Sequence, residues 1–95
     1  LEQGQEAARA CMLNVLSVVQ AQIGDLNRIK RVVKVLAFVA CSNDFYSQPA
    51  VINAASQLLV DIFGEEAGKG ARSAVGTNVL PGNIPVEIEV LFELE

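Results

Sequence analysis

The sequence contains no histidine. That absence removes the commonest acid–base group at neutral pH and the commonest metal ligand. Any catalysis must therefore draw on carboxylates, arginine, cysteine, tyrosine, backbone groups or water. Cysteine is scarce too: Cys11 and Cys41 stand alone, each in an apolar setting. They are expected to be two buried thiols in a reducing compartment rather than a disulfide, which points to a cytoplasmic location. No apolar run approaches the length of a membrane span, so no membrane role is expected. Basic residues are outnumbered, 7 Lys and Arg against 11 Asp and Glu. Four of the seven fall together at Arg28, Lys30, Arg31 and Lys34, without interleaved aromatics. An acidic chain with one short basic patch argues against nucleic-acid binding.

What is present is apolar. Hydrophobic residues make up 52% of 95 residues, enough for one small domain with a modest core and too many for a disordered chain. In residues 5–23, Ala8, Cys11, Met12, Val15, Leu16, Val19 and Ile23 recur at three- and four-residue intervals, the stripe of an amphipathic helix that Gly24 ends. Residues 31–41, RVVKVLAFVAC, are rich in β-branched residues and apolar on both sides, which predicts a central strand. SNDFYSQ is a polar link whose Phe45 and Tyr46 are expected at the core edge. Pro49 suits the first turn of a second helix over 49–63, with Ile52, Ala55, Leu59 and Ile62 inward and Leu58 beside them. GEEAGKG, with three glycines in seven residues, reads as a loop, and it lacks the spacing of a phosphate-binding loop.

Residues 72–80 and 85–94 read as two further strands joined through a type II turn at LPGN, a closing hairpin. The order α-β-α-β-β predicts an α+β fold: a small mixed sheet with two helices on one face and a right-handed crossover between the first two strands. In the last strand Val86, Ile88, Val90, Phe92 and Leu94 share one side. Helices on a single face leave the central strand's other side uncovered, which implies a partner chain or further structure.

Two polar features stand out. Arg72 opens a strand of small and apolar residues, and its planar fork suits a bound carboxylate or an ion pair with a nearby glutamate. Glu87 and Glu89 lie on the polar side of the last strand, where each is either a general base or an ordinary solvated carboxylate. On a flat hairpin Arg72 faces about residue 93, and Glu87 lies roughly 20 Å further along at strand rise. The two then meet one small ligand only if the sheet bends or across an interface with a symmetric neighbour, the simpler design. Asn53, near the start of the second helix, is a candidate cap, loop contact or ligand contact.

Three stretches, QEAARACMLNVLSVVQAQIGDLNRIKRVVK, RVVKVLAFVACSNDF and ARSAVGTNVLPGNIPVEIEVLFEL, resemble in order the first helix, central strand and closing hairpin of the RidA family, also called the YjgF/YER057c/UK114 family. The resemblance covers about residues 4–94 and implies a single RidA-like (chorismate-mutase-like) domain over 1–95. It further implies hydrolysis of reactive enamine or imine acids to 2-keto acids and ammonia, with no metal or organic cofactor and with sites between subunits of a homo-oligomer, commonly a trimer. Arg72 matches the arginine that holds the substrate carboxylate, Glu87 the glutamate that positions or activates water, and Asn53 an asparagine near the pocket. Ala74 stands where many members carry a pocket cysteine, and the second helix differs in length. The N-terminal strands of a family domain have no counterpart here, so the domain is expected to be truncated there, with a dimer as an alternative assembly. A non-catalytic oligomerising or small-molecule-binding module, and a ribonuclease, are the other functions consistent with the resemblance.

Overall fold

The computed structural model describes all 95 residues. Its elements run α1 (Glu2–Ile23), β1 (Ile29–Ala40), α2 (Gln48–Gly68), β2 (Ala71–Thr77) and β3 (Val86–Leu94). The architecture is the expected α+β layer, two helices on one face of a three-stranded mixed sheet. The α1 stripe buries Ala8, Met12 and Leu16 fully, and Cys11, Val15, Val19 and Ile23 partly. Gly24 ends the helix at φ 86°, its N–H bonding Gln20 O, a left-handed cap that glycine adopts without Cβ strain. No helix is long and apolar enough to cross a membrane.

The strand order is β2-β1-β3. The expected closing hairpin is therefore not formed. β1 lies between the other two, parallel to β2 and antiparallel to β3. The physical reason is the composition of β1, whose apolar side chains on both faces favour the centre of a sheet, with a neighbour on each edge. The LPGN turn forms as a tight turn, with Asn83 N–H bonding Leu80 O and Gly82 at φ 68°. Instead of reversing the chain onto β2, it carries residues 78–85 past the end of β1. There Ala40 N–H bonds Pro85 O and Cys41 N–H bonds Thr77 O, tying that end to both neighbours.

Register shifts fall between Ile29 and Arg31 and between Val32 and Lys34 of β1, leaving Lys30 and Val33 as extra residues against β3. The second bulge re-aims the strand so that Val32 and Val35 are both buried despite their odd spacing. The core joins Met12, Val32, Val35, Val51, Ile52 and Leu59 between the layers. Burying each such side chain contributes about 1.5–3 kcal/mol.

α2 departs from expectation at its far end. Gly64, at φ 87° and ψ 167°, breaks the helix, yet residues 65–68 resume helical turns where a loop was expected. Ile62, just before the break, is 45% exposed rather than part of the stripe. Phe63 takes the inward place, edge-on to Phe92 with ring centroids 6.5 Å apart. Tyr46 is also exposed, not a core-edge residue, whereas Phe45 packs against the core. The two cysteines are free and half-buried.

The basic cluster is largely absorbed by its own surroundings. Arg31 pairs with Glu93 at 2.7 Å, Lys34 donates to Ser73 Oγ, and Arg28 donates to Ile23 O. The Arg31 guanidinium holds the Glu93 carboxyl below its ordinary value.

Candidate functional site

Arg72 is the second residue of β2 and pairs with Val35. Residues in register share a face, so Arg72 projects to the side on which the helices pack. There the first turns of α2 meet it: Arg72 Nη1 donates to Asn53 Oδ1 at 2.6 Å and to Ser56 Oγ at 3.2 Å. Asn53 and Ser56 are three residues apart and so occupy one helix face. They hold one guanidinium nitrogen by two acceptors, which fixes the plane of the fork and leaves its other N–H groups without a protein hydrogen-bond acceptor.

The guanidinium lines a concavity of about 480 Å³ between α2 and the start of β2. Its floor is Val35 and Leu59, and its remaining lining is mostly polar or glycine, including Gln57, Glu65 and Lys69. Ser56, Gln57 and Lys69 carry no motif that marks them in the sequence. The one available signal was the Asn53/Ser56 spacing, which matters only once α2 is known to lie over β2.

Glu87 occupies a different surface. It pairs with Phe38 on the helix-free face of the sheet, beside Glu89, which pairs with Leu36. Arg72 and Glu87 are separated by two inter-strand steps and by the three residues from Val35 to Phe38, about 14 Å in the sheet plane at ordinary spacings. They also face opposite ways. The separation expected from a hairpin thus persists for another reason: β1 lies between the two strands, and the register parity puts the two side chains on opposite faces. Arg72 and Asn53 come together; Glu87 does not join them within one chain.

The helix-free face is markedly apolar around the two glutamates. Leu36 and Phe38 are half-buried, and Val75 and Leu91 are 41% and 60% exposed. Behind β3, burial pushes the Cys11 thiol above its ordinary value; a hydrogen bond from the Ile88 backbone opposes this and the charge of Glu87 adds to it. A thiol held protonated in this way is a core residue, not a nucleophile. Ala74 pairs with Ala37 and packs against the core. No cluster of His, Cys, Asp or Glu could hold a metal ion.

Comparison with known proteins places this geometry. Residues 1–93 match the family described as Endoribonuclease L-PSP. Protein TCP17 of Trypanosoma cruzi is 52% identical over 92 residues, which are 97% of this chain and 58% of TCP17. The crystal structure of Atu1372 from Agrobacterium tumefaciens, a protein described as having unknown function, matches with a TM-score of 0.94 at 42% identity, over 99% of this chain and 60% of its own. A Shewanella oneidensis structure whose description proposes an endoribonuclease matches with a TM-score of 0.92 at 29% identity, over 98% of this chain and 61% of its own. The chain spans about three-fifths of the length of these relatives. Sequence and fold agree: the chain belongs to the Endoribonuclease L-PSP family, the RidA family that its helix, central strand and closing strands resemble.

Proposed function

We propose that this chain supplies the carboxylate-binding part of a site that hydrolyses 2-imino or enamine acids to 2-keto acids and ammonia. The observation that carries the reading is the Arg72 fork, oriented by Asn53 and Ser56 at the wall of an open concavity of mixed polar and apolar lining. A fork held by neutral acceptors keeps its charge for an incoming anion, and a planar carboxylate matches it. Glu87 is the water-positioning group. It takes a proton from water as the oxygen attacks the imine carbon and the C=N electrons move to nitrogen. It returns that proton to nitrogen, giving a 2-amino-2-hydroxy acid, then takes the proton of the new hydroxyl as the C=O forms and delivers it to the same nitrogen as the C–N bond breaks and ammonia leaves. An enamine enters the same route after taking a proton at carbon to become the imine.

Because Arg72 and Glu87 face opposite ways about 14 Å apart, one substrate meets both only where two copies of the chain adjoin. The site is therefore an interface site in a homo-oligomer, with the apolar helix-free face of one copy, carrying Glu87, against the Arg72 side of the next. A trimer closes this head-to-tail contact as a ring. The alternative is a binding or oligomerising module that keeps the Arg72 concavity without the chemistry. The description of the family and of the Shewanella relative supports a further alternative, RNA cleavage. The absence of histidine, the acidic balance of the chain and the pairing of Arg31 with Glu93 weigh against it.

The test is ammonia release from 2-aminoacrylate generated by a separate enzyme. Acceleration by the protein, lost in Glu87→Gln, is expected; a wild-type rate equal to the uncatalysed one overturns the reading. Asn53→Ala removes one of the two acceptors that orient Arg72. It is expected to raise KM roughly fivefold with little change in kcat, the effect of one hydrogen bond of about 1 kcal/mol. Steady-state kinetics on the same assay checks it.

A further inference from the structure

The concavity beside Arg72 is larger than a three-carbon imino acid needs. At about 480 Å³ it lies within the range of pockets that enclose much larger ligands. Beyond Arg72 the polar lining is Gln57 on α2, then Glu65 and Lys69 on the segment that follows the break at Gly64. The charged lining residues are Arg72, Lys69 and Glu65, a net charge of +1 on a chain of −4. The concavity is thus a local positive site on an acidic protein, which favours anions.

Lys69 is held there by its neighbours. A Cβ on Gly68 would come within 2.4 Å of Leu59 O, and one on Gly70 within 2.5 Å of Val32 O. Both glycines lie flush against the backbone of other elements, so the peptide that carries Lys69 has a fixed position. Its side chain is 72% exposed and has one partner, Glu65 at 3.7 Å. An exposed pair of this kind contributes little and yields readily to a better-placed anion. Lys69 and Arg72 stand three residues apart, about 10 Å of extended chain, on the rim and wall of one concavity.

We propose that Lys69 is a specificity-determining residue and that the site takes substrates with two anionic groups, 2-imino acids whose side chain ends in a second carboxylate. Arg72 receives the carboxylate beside the imine carbon, and Lys69 the distal one, which displaces Glu65. The inference rests on the hydrolytic reading for the identity of the reaction, but binding tests it separately.

The experiment measures binding of two stable 2-oxo acids, 2-oxoglutarate with two carboxylates and 2-oxobutyrate with one, by calorimetry. The wild-type protein is expected to bind the diacid about three- to fivefold more tightly, the scale of one ion pair at a largely exposed lysine. Lys69→Ala brings the ratio close to one, Glu65→Gln raises it by removing the competing carboxylate, and Lys30→Ala, far from the concavity in sequence and outside its lining, leaves it unchanged. A wild-type ratio near one, a ratio that survives Lys69→Ala, or failure of both acids to bind overturns the inference. Failure of ammonia release with intact diacid preference overturns the hydrolytic reading alone.

Discussion

Gly68→Ala and Gly70→Ala are each expected to destabilise the protein by about 3 kcal/mol, the upper part of the range for forcing extra atoms into a packed site. For a domain of this size that lowers the melting temperature by roughly 12–24 °C. The reason lies in what each new methyl group would strike. At Gly68 the three nearest atoms are Leu59 O, Leu59 C and Val60 Cα, at 2.4, 2.8 and 2.9 Å; at Gly70 they are Val32 O, Val33 O and Val33 C, at 2.5, 2.8 and 2.9 Å. All are backbone atoms, so no side-chain rotation relieves the clash. At Gly70 the struck atoms belong to the β1 bulge, which cannot shift without disturbing the buried Val32 and Val35. Gly24 is the control. It has positive φ but nothing within 4 Å of its Cβ position, so Gly24→Ala carries only the left-handed backbone cost of about 1–2 kcal/mol. Thermal melts of the three variants check the order. A Gly68→Ala protein that melts within a few degrees of wild type would show that this segment does not pack as described.

Those two glycines also show where the sequence stopped being informative. GEEAGKG reads as a loop because three glycines in seven residues weaken a helix, and that inference weighs only local conformational freedom. Gly68 and Gly70 are small because of backbone from α2 and β1, contacts that no local pattern displays. The same limit explains the hairpin. VGTNVLPGNIPVEIEV has the turn and the alternation of two adjacent strands, and the turn itself forms. Which strand lies beside which is decided by β1, forty residues earlier, whose two apolar faces claim the centre. The stripe of α1, the central place of β1 and the in–out alternation of Val86, Ile88 and Val90 against Glu87 and Glu89 were legible, because each depends on period and hydrophobicity alone. Arg72 and Asn53 were legible as separate polar residues and through resemblance. Their contact, the part played by Ser56 and the opposite facing of Glu87 depend on register, and register became available only with the sheet order.

Arg72→Ala is expected to lower kcat/KM for imine hydrolysis by roughly 10- to 150-fold, the value of a charged hydrogen-bonding group worth about 1.5–3 kcal/mol. The loss should appear mainly in KM, because the carboxylate is bound alike in the ground state and during attack on the adjacent carbon. Arg72→Lys separates charge from shape. It restores a cation but not the planar fork, and one ammonium cannot both satisfy Asn53 and Ser56 and present two parallel N–H groups to a carboxylate. Its kcat/KM is therefore expected between those of wild type and Arg72→Ala. Arg72 also ties β2 to α2 through Asn53 Oδ1 and Ser56 Oγ, so some loss of stability accompanies either change. The contact is partly exposed, and water replaces the missing donor, which keeps that loss near 1 kcal/mol. A melting temperature only slightly lowered, together with a KM raised at least tenfold, assigns Arg72 to substrate. A KM that stays at the wild-type value leaves the arginine as a strut between strand and helix, and the carboxylate site must then be sought elsewhere.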